Sequence, residues 1–241
     1  MGARATVGDW SLGDVPVVFE DEDLIVIDKP AGLVVHPAPG VDEATLAELF
    51  AERIGGGDET ERKGIVHRLD RGTSGLMLLA RNDRAHAELQ RAIQEREVKR
   101  TYLALVQGAP RTRAGKIDAP IGRSPRERHR MAVDGAGPRE AVTHFRVVET
   151  LDRSSLVEVK LETGRTHQIR VHMASIGNPV VGDPTYGGEL LFGLDRTFLH
   201  SARLVFRHPS TGRSMEFEAP LPEELVRALE IARGDPPGNT G

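Results

Sequence analysis

The sequence predicts an α+β protein built on a largely antiparallel sheet. Apolar runs with the length and β-branched composition of strands outnumber the segments with helical spacing, and the two kinds do not alternate regularly. The first two runs, Val15–Glu20 and Leu24–Asp28, flank the polar turn Asp21–Asp23, which is typical of a β-hairpin. A regular alternation would instead have favoured a doubly wound parallel sheet.

Four segments are predicted to be helical. Thr45–Ile54 carries apolar residues at helical spacing and ends at a run of three glycines. Asp83–Glu97 has an acidic residue near its start and one apolar face, as a surface helix requires. The other two helices are predicted over Arg165–Ser175 and Pro222–Arg233.

The remaining apolar segments predict strands. Residues 108–140 are rich in glycine, proline and arginine, and are predicted to form long basic loops with short strands. The longer predicted strands are Gly75–Ala80, Val98–Gln107, Ala141–Glu149, Ser155–Glu162, Thr197–Arg207 and Ser214–Glu218.

No segment has the composition of a clean linker, so we expect a single domain over residues 15–233. Residues 1–14 would form an N-terminal extension, and the glycine- and proline-rich residues 234–241 a flexible tail. The length of 241 residues suits one large domain or two small ones, and an apolar fraction of 39% is ordinary for a globular protein.

The composition excludes several classes of protein. The chain has no cysteine, which excludes disulfides, thiolate catalysis and cysteine-ligated metal sites. No apolar stretch approaches the roughly 18 residues of a membrane span, and the first residues lack a signal peptide, so we expect a cytoplasmic protein without membrane contact. The sequence motifs of P-loop, dinucleotide-binding, zinc-protease and serine-hydrolase sites are absent.

The net charge of −4 is unevenly distributed along the chain. Residues 1–61 carry −11, residues 62–213 carry +11 and residues 214–241 carry −4. A polyanion responds to the potential within a Debye length of about 8–10 Å, so the middle of the chain could face phosphates although the whole is acidic. A solvated basic face is the alternative, and the charge alone does not separate the two.

The run from Gly64 to Gly75 holds the first candidate for chemistry. An apolar strand breaks into a polar turn where Asp70 stands between Arg68 and Arg71, and a second apolar strand follows. The flanking cations would keep the carboxylate ionised, so that it could act as a nucleophile or a base. A turn aspartate held in a salt bridge would explain the same residues.

A second candidate lies at the start of the third predicted helix. His167 and Arg170 are three residues apart and share a helix face that continues into the core. Thr163 or Thr166 could cap this helix. An arginine at such an edge often pairs with a buried carboxylate, and a helix whose polar groups are merely satisfied is the alternative.

Tyr102 is the third candidate, because it is one of only two tyrosines and stands in a basic strand. A base can stack on an aromatic ring while neighbouring cations hold its phosphates. A core or edge tyrosine is the alternative.

His167 and His172 would diverge on their helix, and no acidic residue completes a metal site, so no metal is expected.

The combination of these segments is more specific than any one of them. In this order they resemble the RluA-type pseudouridine synthases, which modify ribosomal and transfer RNA, and the resemblance runs from residue 15 to residue 233. A further stretch, Val34–Gly40, is most similar to the RluD-like members that act on large-subunit ribosomal RNA. The segments that carry the resemblance are Leu24–Gly32, His67–Gly75, Lys99–Val106, Thr163–Met173, Val181–Gly187 and Leu199–Ala202.

The resemblance implies a fold and an activity. The fold is the pseudouridine synthase catalytic fold, an α+β domain on a bent, mixed, mainly antiparallel sheet with the active cleft across its middle. The activity is the isomerisation of uridine to pseudouridine in RNA. The expected substrate is large-subunit ribosomal RNA, with transfer RNA as the alternative. No cofactor or metal is required, and the protein is expected to be a monomer.

The resemblance also implies roles for particular residues. Asp70 matches the essential aspartate, which acts as the nucleophile, and Arg170 matches the basic residue that pairs with it. Tyr102 matches the tyrosine that stacks on the target base, and Arg68 the residue that fills the space left when the uridine flips out. The other residues expected to contact the substrate are His67, Arg71, Arg165, His167, Gln168, Ile169 and Leu199.

One feature departs from the RluD-like pattern. Those members usually carry an N-terminal S4 RNA-binding domain, whereas residues 1–14 alone precede the first predicted strand here. Either the sequence is the catalytic part of a longer protein, or the RNA is found without that domain. Two other functions stay open: a catalytically silent RNA-binding protein, and a hydrolase or lyase that acts on a small nucleoside or sugar through Asp70 and Glu162.

Overall fold

The computed structural model describes residues 10–37, 42–57, 63–127 and 130–234. Their contacts divide the chain into two compact units, one of Met1–Val98 with Arg203–Ala219, the other of Lys99–Ala202 with Pro220–Gly241. Most of the predicted extension and tail lies outside the described residues. Among the residues that are described, no helix is long and apolar enough to cross a membrane.

The first unit is built on antiparallel strands. Its elements are β1 (Val17–Glu20), β2 (Leu24–Lys29), α1 (Leu46–Leu49), β3 (Ser74–Ala80), α2 (Asp83–Gln94) and β12 (Ser214–Glu218). β1 and β2 form the predicted hairpin, and β2 pairs along its whole length with β3. All seven residues of β3 are buried, as its continuous apolar run predicts.

The strand β11 (Leu199–Arg207) begins in the second unit and ends in the first. Its last five residues pair with β12, with Arg203 opposite Glu218 and Arg207 opposite Ser214. The core of the first unit joins these strands to α2, since Leu89 of the helix packs in one cluster with Leu78 and Phe206. The Asn82 side chain caps α2 by accepting a 2.9 Å hydrogen bond from the Ala85 amide.

α1 is shorter than the predicted helix over Thr45–Ile54. A capping box between Thr45 and Glu48 starts it, but the helix ends at Leu49. The apolar residues that follow lie in turns. The chain must leave the helix here because the Gly55 amide donates a 3.0 Å hydrogen bond to the carbonyl of Ala80 at the end of β3. A side chain at Gly55 would clash with the backbone at Arg81, so glycine permits this approach.

The second unit contains two antiparallel sheets. Its elements are β4 (Lys99–Gln107), β5 (Ala114–Asp118), β6 (Ile121–Arg123), β7 (Met131–Val133), β8 (Ala136–Arg139), β9 (Val142–Thr150), β10 (Ser154–Leu161), α3 (Gln168–Ser175) and α4 (Glu223–Arg233). The larger sheet has the order β4–β10–β9–β5, and the smaller one the order β7–β6–β8. The segment 108–140 thus contains the short strands that the sequence predicts.

α4 closes the core of the second unit. Leu225 and Leu229 of this helix share a cluster with Leu105 of β4 and with Phe198, which directly precedes β11. The predicted helix over Pro222–Arg233 is therefore confirmed, with Pro222 as the residue that precedes its first turn. The α+β class and the mainly antiparallel pairing are confirmed as well.

Candidate active site

Asp70 lies in a tight turn of the first unit, half-buried, directly before β3. Its carbonyl accepts a 3.0 Å hydrogen bond from the Thr73 amide, which closes the turn. The next carbonyl, that of Arg71, accepts a 2.7 Å bond from the Gly32 amide, and Gly32 has a φ of +94°. The backbone that carries the carboxylate is thereby fixed from two sides.

The two arginines that flank Asp70 contact other groups. Arg71 forms an ion pair with Glu43 at 2.7 Å, and Nη1 of Arg68 lies 2.9 Å from Nε2 of His36. Both arginines are exposed. Each arginine thus has a partner of its own within the first unit.

His67 anchors the strand that leads into this turn. Its Nε2 accepts a 3.0 Å hydrogen bond from the amide of Leu78 in β3, so the ring carries its proton on Nδ1 in the neutral state. Nδ1, the other ring nitrogen, is also buried, so a substrate contact of the kind that the sequence predicts would require the ring to be uncovered.

Tyr102 lies in the middle of β4, opposite Val159 of β10, in the second unit. The residue is only 4% exposed. A base could stack on this ring only after the ring is uncovered, so the predicted contact requires a movement during substrate entry.

Arg170 is held by a carboxylate that the sequence analysis did not name as its partner. Its Nε and Nη2 donate to the two carboxylate oxygens of Asp183 at 2.6 and 2.8 Å, a bidentate pair. The Asp183 side chain is 1% exposed and that of Arg170 is 11% exposed. The general expectation that this arginine pairs with a buried carboxylate is met by Asp183, which follows the apolar Val180–Val181 and precedes Pro184.

Tyr186 joins the residues at the start of α3. Its hydroxyl accepts a 3.0 Å bond from the Met131 amide and lies 2.8 Å from Nδ1 of His167. The guanidinium groups of Arg170 and Arg130 lie over its ring, at 5.0 and 5.3 Å from the centroid. His167 and Arg170 thus meet on one aromatic ring, although His167 precedes α3 and does not share a helix face with Arg170 as their spacing predicts.

The start of α3 differs from the prediction. Neither Thr163 nor Thr166 caps the helix, which begins at Gln168 and not at Arg165. The residue before it is His167, which adopts the left-handed region with a φ of 57°. The helix cannot start earlier because the Gln168 side chain accepts a 3.0 Å hydrogen bond from the Arg165 amide, which folds the preceding segment into a turn.

Gln168 is 2% exposed and its polar atoms are bonded within the protein. Its Oε1 also accepts from the Thr163 hydroxyl at 2.7 Å, and its Nε2 donates to the Val142 carbonyl and the Thr143 hydroxyl, both at 3.0 Å. The side chain therefore ties α3 to the start of β9. A substrate contact of the predicted kind would have to displace these bonds.

Ile169 and Leu199 are 4% and 3% exposed, so neither offers much surface to a substrate in this state. Arg165 donates through Nε to the Glu140 carbonyl at 2.8 Å and is partly exposed. Of the predicted substrate contacts, Arg68 and Arg71 are exposed, whereas Arg165, His67 and His167 are half-buried.

Comparison with known proteins identifies the chain. The family model described as RNA pseudouridylate synthase matches residues 23–175. The chain belongs to this family. It is 46% identical to the ribosomal large subunit pseudouridine synthase D of Pseudomonas aeruginosa, over 95% of this chain and 75% of that protein. It is 47% identical to an uncharacterized RNA pseudouridine synthase of Bacillus subtilis, over 91% of this chain and 73% of that protein.

A solved structure supports the same assignment. The human RNA pseudouridylate synthase domain containing 4 matches with a TM-score of 0.72 and 26% identity, over 90% of this chain and 93% of that one. The predicted family and fold class are confirmed, and the protein is an RNA pseudouridine synthase, an isomerase that acts on RNA.

One group of side chains in this pseudouridine synthase, among the described residues, has the spacing of metal ligands. Ligand atoms of Asp21, Asp23 and His208 lie within 4.8 Å of one another. Hydrogen bonds already join them to the protein: Nε2 of His208 lies 2.8 Å from Asp21, and its Nδ1 accepts from the amides of Ser210 and Thr211. The group is a polar network that ties the β1–β2 turn to the β11–β12 connection.

His172 of α3 is fully buried. Burial lowers the pKa of its ring, against the hydrogen bond to the Ala119 carbonyl, which raises it. Its Nε2 donates to that carbonyl at 2.9 Å, and its Nδ1 lies 2.8 Å from the Thr143 hydroxyl. The neutral ring therefore has both nitrogens engaged within the core.

Proposed function

We propose that this synthase converts uridine to pseudouridine in large-subunit ribosomal RNA, with Asp70 as its nucleophile. The observation that carries the role of Asp70 is its placement. The carboxylate stands in a turn whose backbone is fixed by Gly32 and Thr73, while the adjacent arginines bind other partners. The choice of RNA is supported by the similarity to proteins named as ribosomal large subunit pseudouridine synthases. We further propose a cytoplasmic monomer.

The reaction is an isomerisation within one nucleotide. The N1–C1′ bond breaks, the uracil rotates, C5 bonds to C1′, and the proton displaced from C5 is balanced by one gained at N1. No electrons or water are consumed, so the protein needs only to flip, hold and activate the nucleotide. An ionised Asp70 serves whether it adds to the sugar or the base, or removes the C2′ proton.

The other residues have supporting roles in the proposal. Tyr102 holds the detached uracil, and Arg170, which Asp183 holds in a bidentate pair, is the basic residue that pairs with the catalytic aspartate. Arg68, exposed at the surface, fills the space that the flipped uridine leaves. The exposed Arg71 and the half-buried Arg165 supply phosphate contacts, for which guanidinium groups are suited.

The test uses large-subunit ribosomal RNA labelled with tritium at uridine C5, because forming pseudouridine releases that tritium to water. Wild-type protein should release it, and Asp70→Asn should release none while binding RNA within a few-fold of wild type. Asp152→Asn, at an exposed aspartate in the turn between β9 and β10, is the matched control and should keep full activity. Sequencing the product then locates the modified uridine.

The outcomes separate the alternatives. Activity in Asp70→Asn would refute the nucleophile, and release from transfer RNA alone would replace the substrate. RNA binding without turnover of any RNA would favour the silent binding protein. Turnover of free uridine would favour the small-molecule enzyme.

A further inference from the structure

The second unit contains a buried cation with an unsatisfied nitrogen. Arg100 of β4 is 5% exposed, and among the described residues its Nε has no hydrogen-bond partner. The other lysine or arginine buried to this degree in the described chain is Lys29, whose Nζ donates to the carbonyls of Pro30 and Leu33 at 2.8 and 2.9 Å. A buried charge without a partner is costly, so its retention calls for a ligand.

The guanidinium of Arg100 lies directly under the turn that leads into α3. A Cβ atom built on Gly164 would lie 3.0 Å from Nη1 and 3.6 Å from Nη2 of Arg100. Gly164 is itself exposed, so the guanidinium edge comes close to the surface at a place where the chain has no side chain. The glycine leaves open a space that any other residue would fill.

Arg100 lies two residues before Tyr102 on the same strand and on the same face of it. Residues two apart on a strand point to the same face, about 7 Å from each other along it. β4 follows this rule, because Arg100, Tyr102 and Ala104 are all buried. The guanidinium-bearing residue is therefore two positions along the strand from Tyr102, whose ring is proposed to stack on the base.

The guanidinium of Arg100 is suited to binding an anion. A guanidinium presents a planar fork of donors that matches two oxygens of a phosphate or carboxylate. The nearest carboxylate along the turn, Glu162, is bonded to Nε2 of His144 at 2.6 Å. In an enzyme that acts on RNA, the anion that accompanies every base is the backbone phosphate.

We propose that Arg100 binds a phosphate that flanks the target uridine, through the space above it at Gly164. The contact fixes the flipped nucleotide at its backbone while Tyr102 holds its base. This inference rests on the proposed RNA substrate, and it assigns Arg100 as a substrate-binding residue.

The test is a cycle of protein and RNA changes. The substrate is a stem-loop from ribosomal RNA that contains the modified uridine, made with the native phosphates or with one uncharged methylphosphonate on the 5′ or the 3′ side of it. Arg100→Met should lower kcat/KM on the native RNA roughly 10- to 100-fold, as expected for a charged hydrogen bond. On one of the two methylphosphonate RNAs, wild type and variant should differ less than about twofold. In Arg100→Met, the slope of the logarithm of RNA affinity against the logarithm of salt concentration should also decrease in magnitude by about one, because one fewer counterion is released.

Stability provides a second readout. Removing an unpaired buried charge should leave resistance to urea unchanged or higher. The matched control is Arg196→Met, since Arg196 is also largely buried and its Nε is in the same unsatisfied state as that of Arg100, whereas its Nη2 pairs with Glu224 at 2.8 Å. That variant should lose stability and keep its preference for the native phosphate. Gly164→Ala leaves Arg100 in place and should weaken binding of the native RNA without unfolding the protein, because φ at this glycine is not positive.

Each outcome decides the proposal. Equal losses on native and methylphosphonate RNA would overturn the phosphate contact. A stability loss in Arg100→Met as large as that in Arg196→Met would overturn the view of Arg100 as an unpaired cation. Wild type could release no tritium and still bind native RNA more tightly than the methylphosphonate RNA, with Arg100→Met losing that preference. The phosphate site would then hold, and the proposed reaction would be wrong.

Discussion

The pair between Arg170 and Asp183 should behave as a buried ion pair, and this can be measured. Asp183→Asn removes the carboxylate charge that meets the guanidinium with two hydrogen bonds, at side chains 1% and 11% exposed. Breaking a buried pair by changing one partner costs about 3–5 kcal/mol, because the remaining charge stays buried. We therefore expect Asp183→Asn to lower the free energy of unfolding in urea by about that amount.

A bidentate pair at the surface of the same unit serves as the control. Arg233 meets Glu149 with three hydrogen bonds, but the two side chains are 39% and 34% exposed. Glu149→Gln should cost less than about 1 kcal/mol. The double variant Asp183→Leu with Arg170→Met should recover most of the stability, because an apolar pair of similar volume avoids both charges.

A loss below about 1 kcal/mol in Asp183→Asn would refute this reasoning, since the pair would then behave as an exposed one. If the double variant is as unstable as Asp183→Asn, the buried charge is not the cause of the lost stability. The pair would then stabilise the protein through its hydrogen-bond geometry.

Three more predictions follow from the described contacts. Tyr102→Leu should lose roughly 10- to 100-fold in tritium release and Tyr102→Phe much less, because phenylalanine keeps the stacking ring; equal losses would implicate the hydroxyl. Gln168→Leu should cost about 1–3 kcal/mol in urea unfolding, because its partners at Val142 and Thr143 stay buried, and an unchanged midpoint would refute this. Asp23→Asn should be less stable than wild type by about 1–3 kcal/mol at pH 7. That difference should shrink in acid, because hydrogen bonds from Ser210 and Asn82 lower the pKa of Asp23 below its usual value and their contribution is lost as the pH falls through the lowered pKa. A difference that does not shrink as the pH falls from 7 would contradict this.

Local patterns predicted most of the fold. The apolar runs that became β3 and β12 were predicted within a residue, because burial on both faces or in a hairpin leaves a signal in the sequence itself. Thr45–Ile54 was predicted as one helix but forms one turn, because a distant hydrogen bond from Gly55 to Ala80 bends the chain. Helical spacing cannot reveal a contact made by residues far along the chain.

The site was predicted in the same uneven way. His167 and Arg170 were expected on one helix face, but His167 lies before the helix in the left-handed region, and the two side chains meet at Tyr186 instead. Asp183 lies in one of the segments that carry the family resemblance, but its pairing with Arg170 cannot be predicted from the sequence, because tertiary packing decides the partner of an arginine thirteen residues away. Arg100 was passed over because an unpaired buried cation is visible only when its surroundings are known.

The backbone at His167 sets two demands against each other. A non-glycine residue in the left-handed region costs about 1–3 kcal/mol, and here it holds an imidazole against the Tyr186 hydroxyl. Glycine would relieve the backbone but would remove that ring. The histidine therefore keeps the contact with Tyr186 and bears the backbone strain, whereas a glycine at this position would remove both.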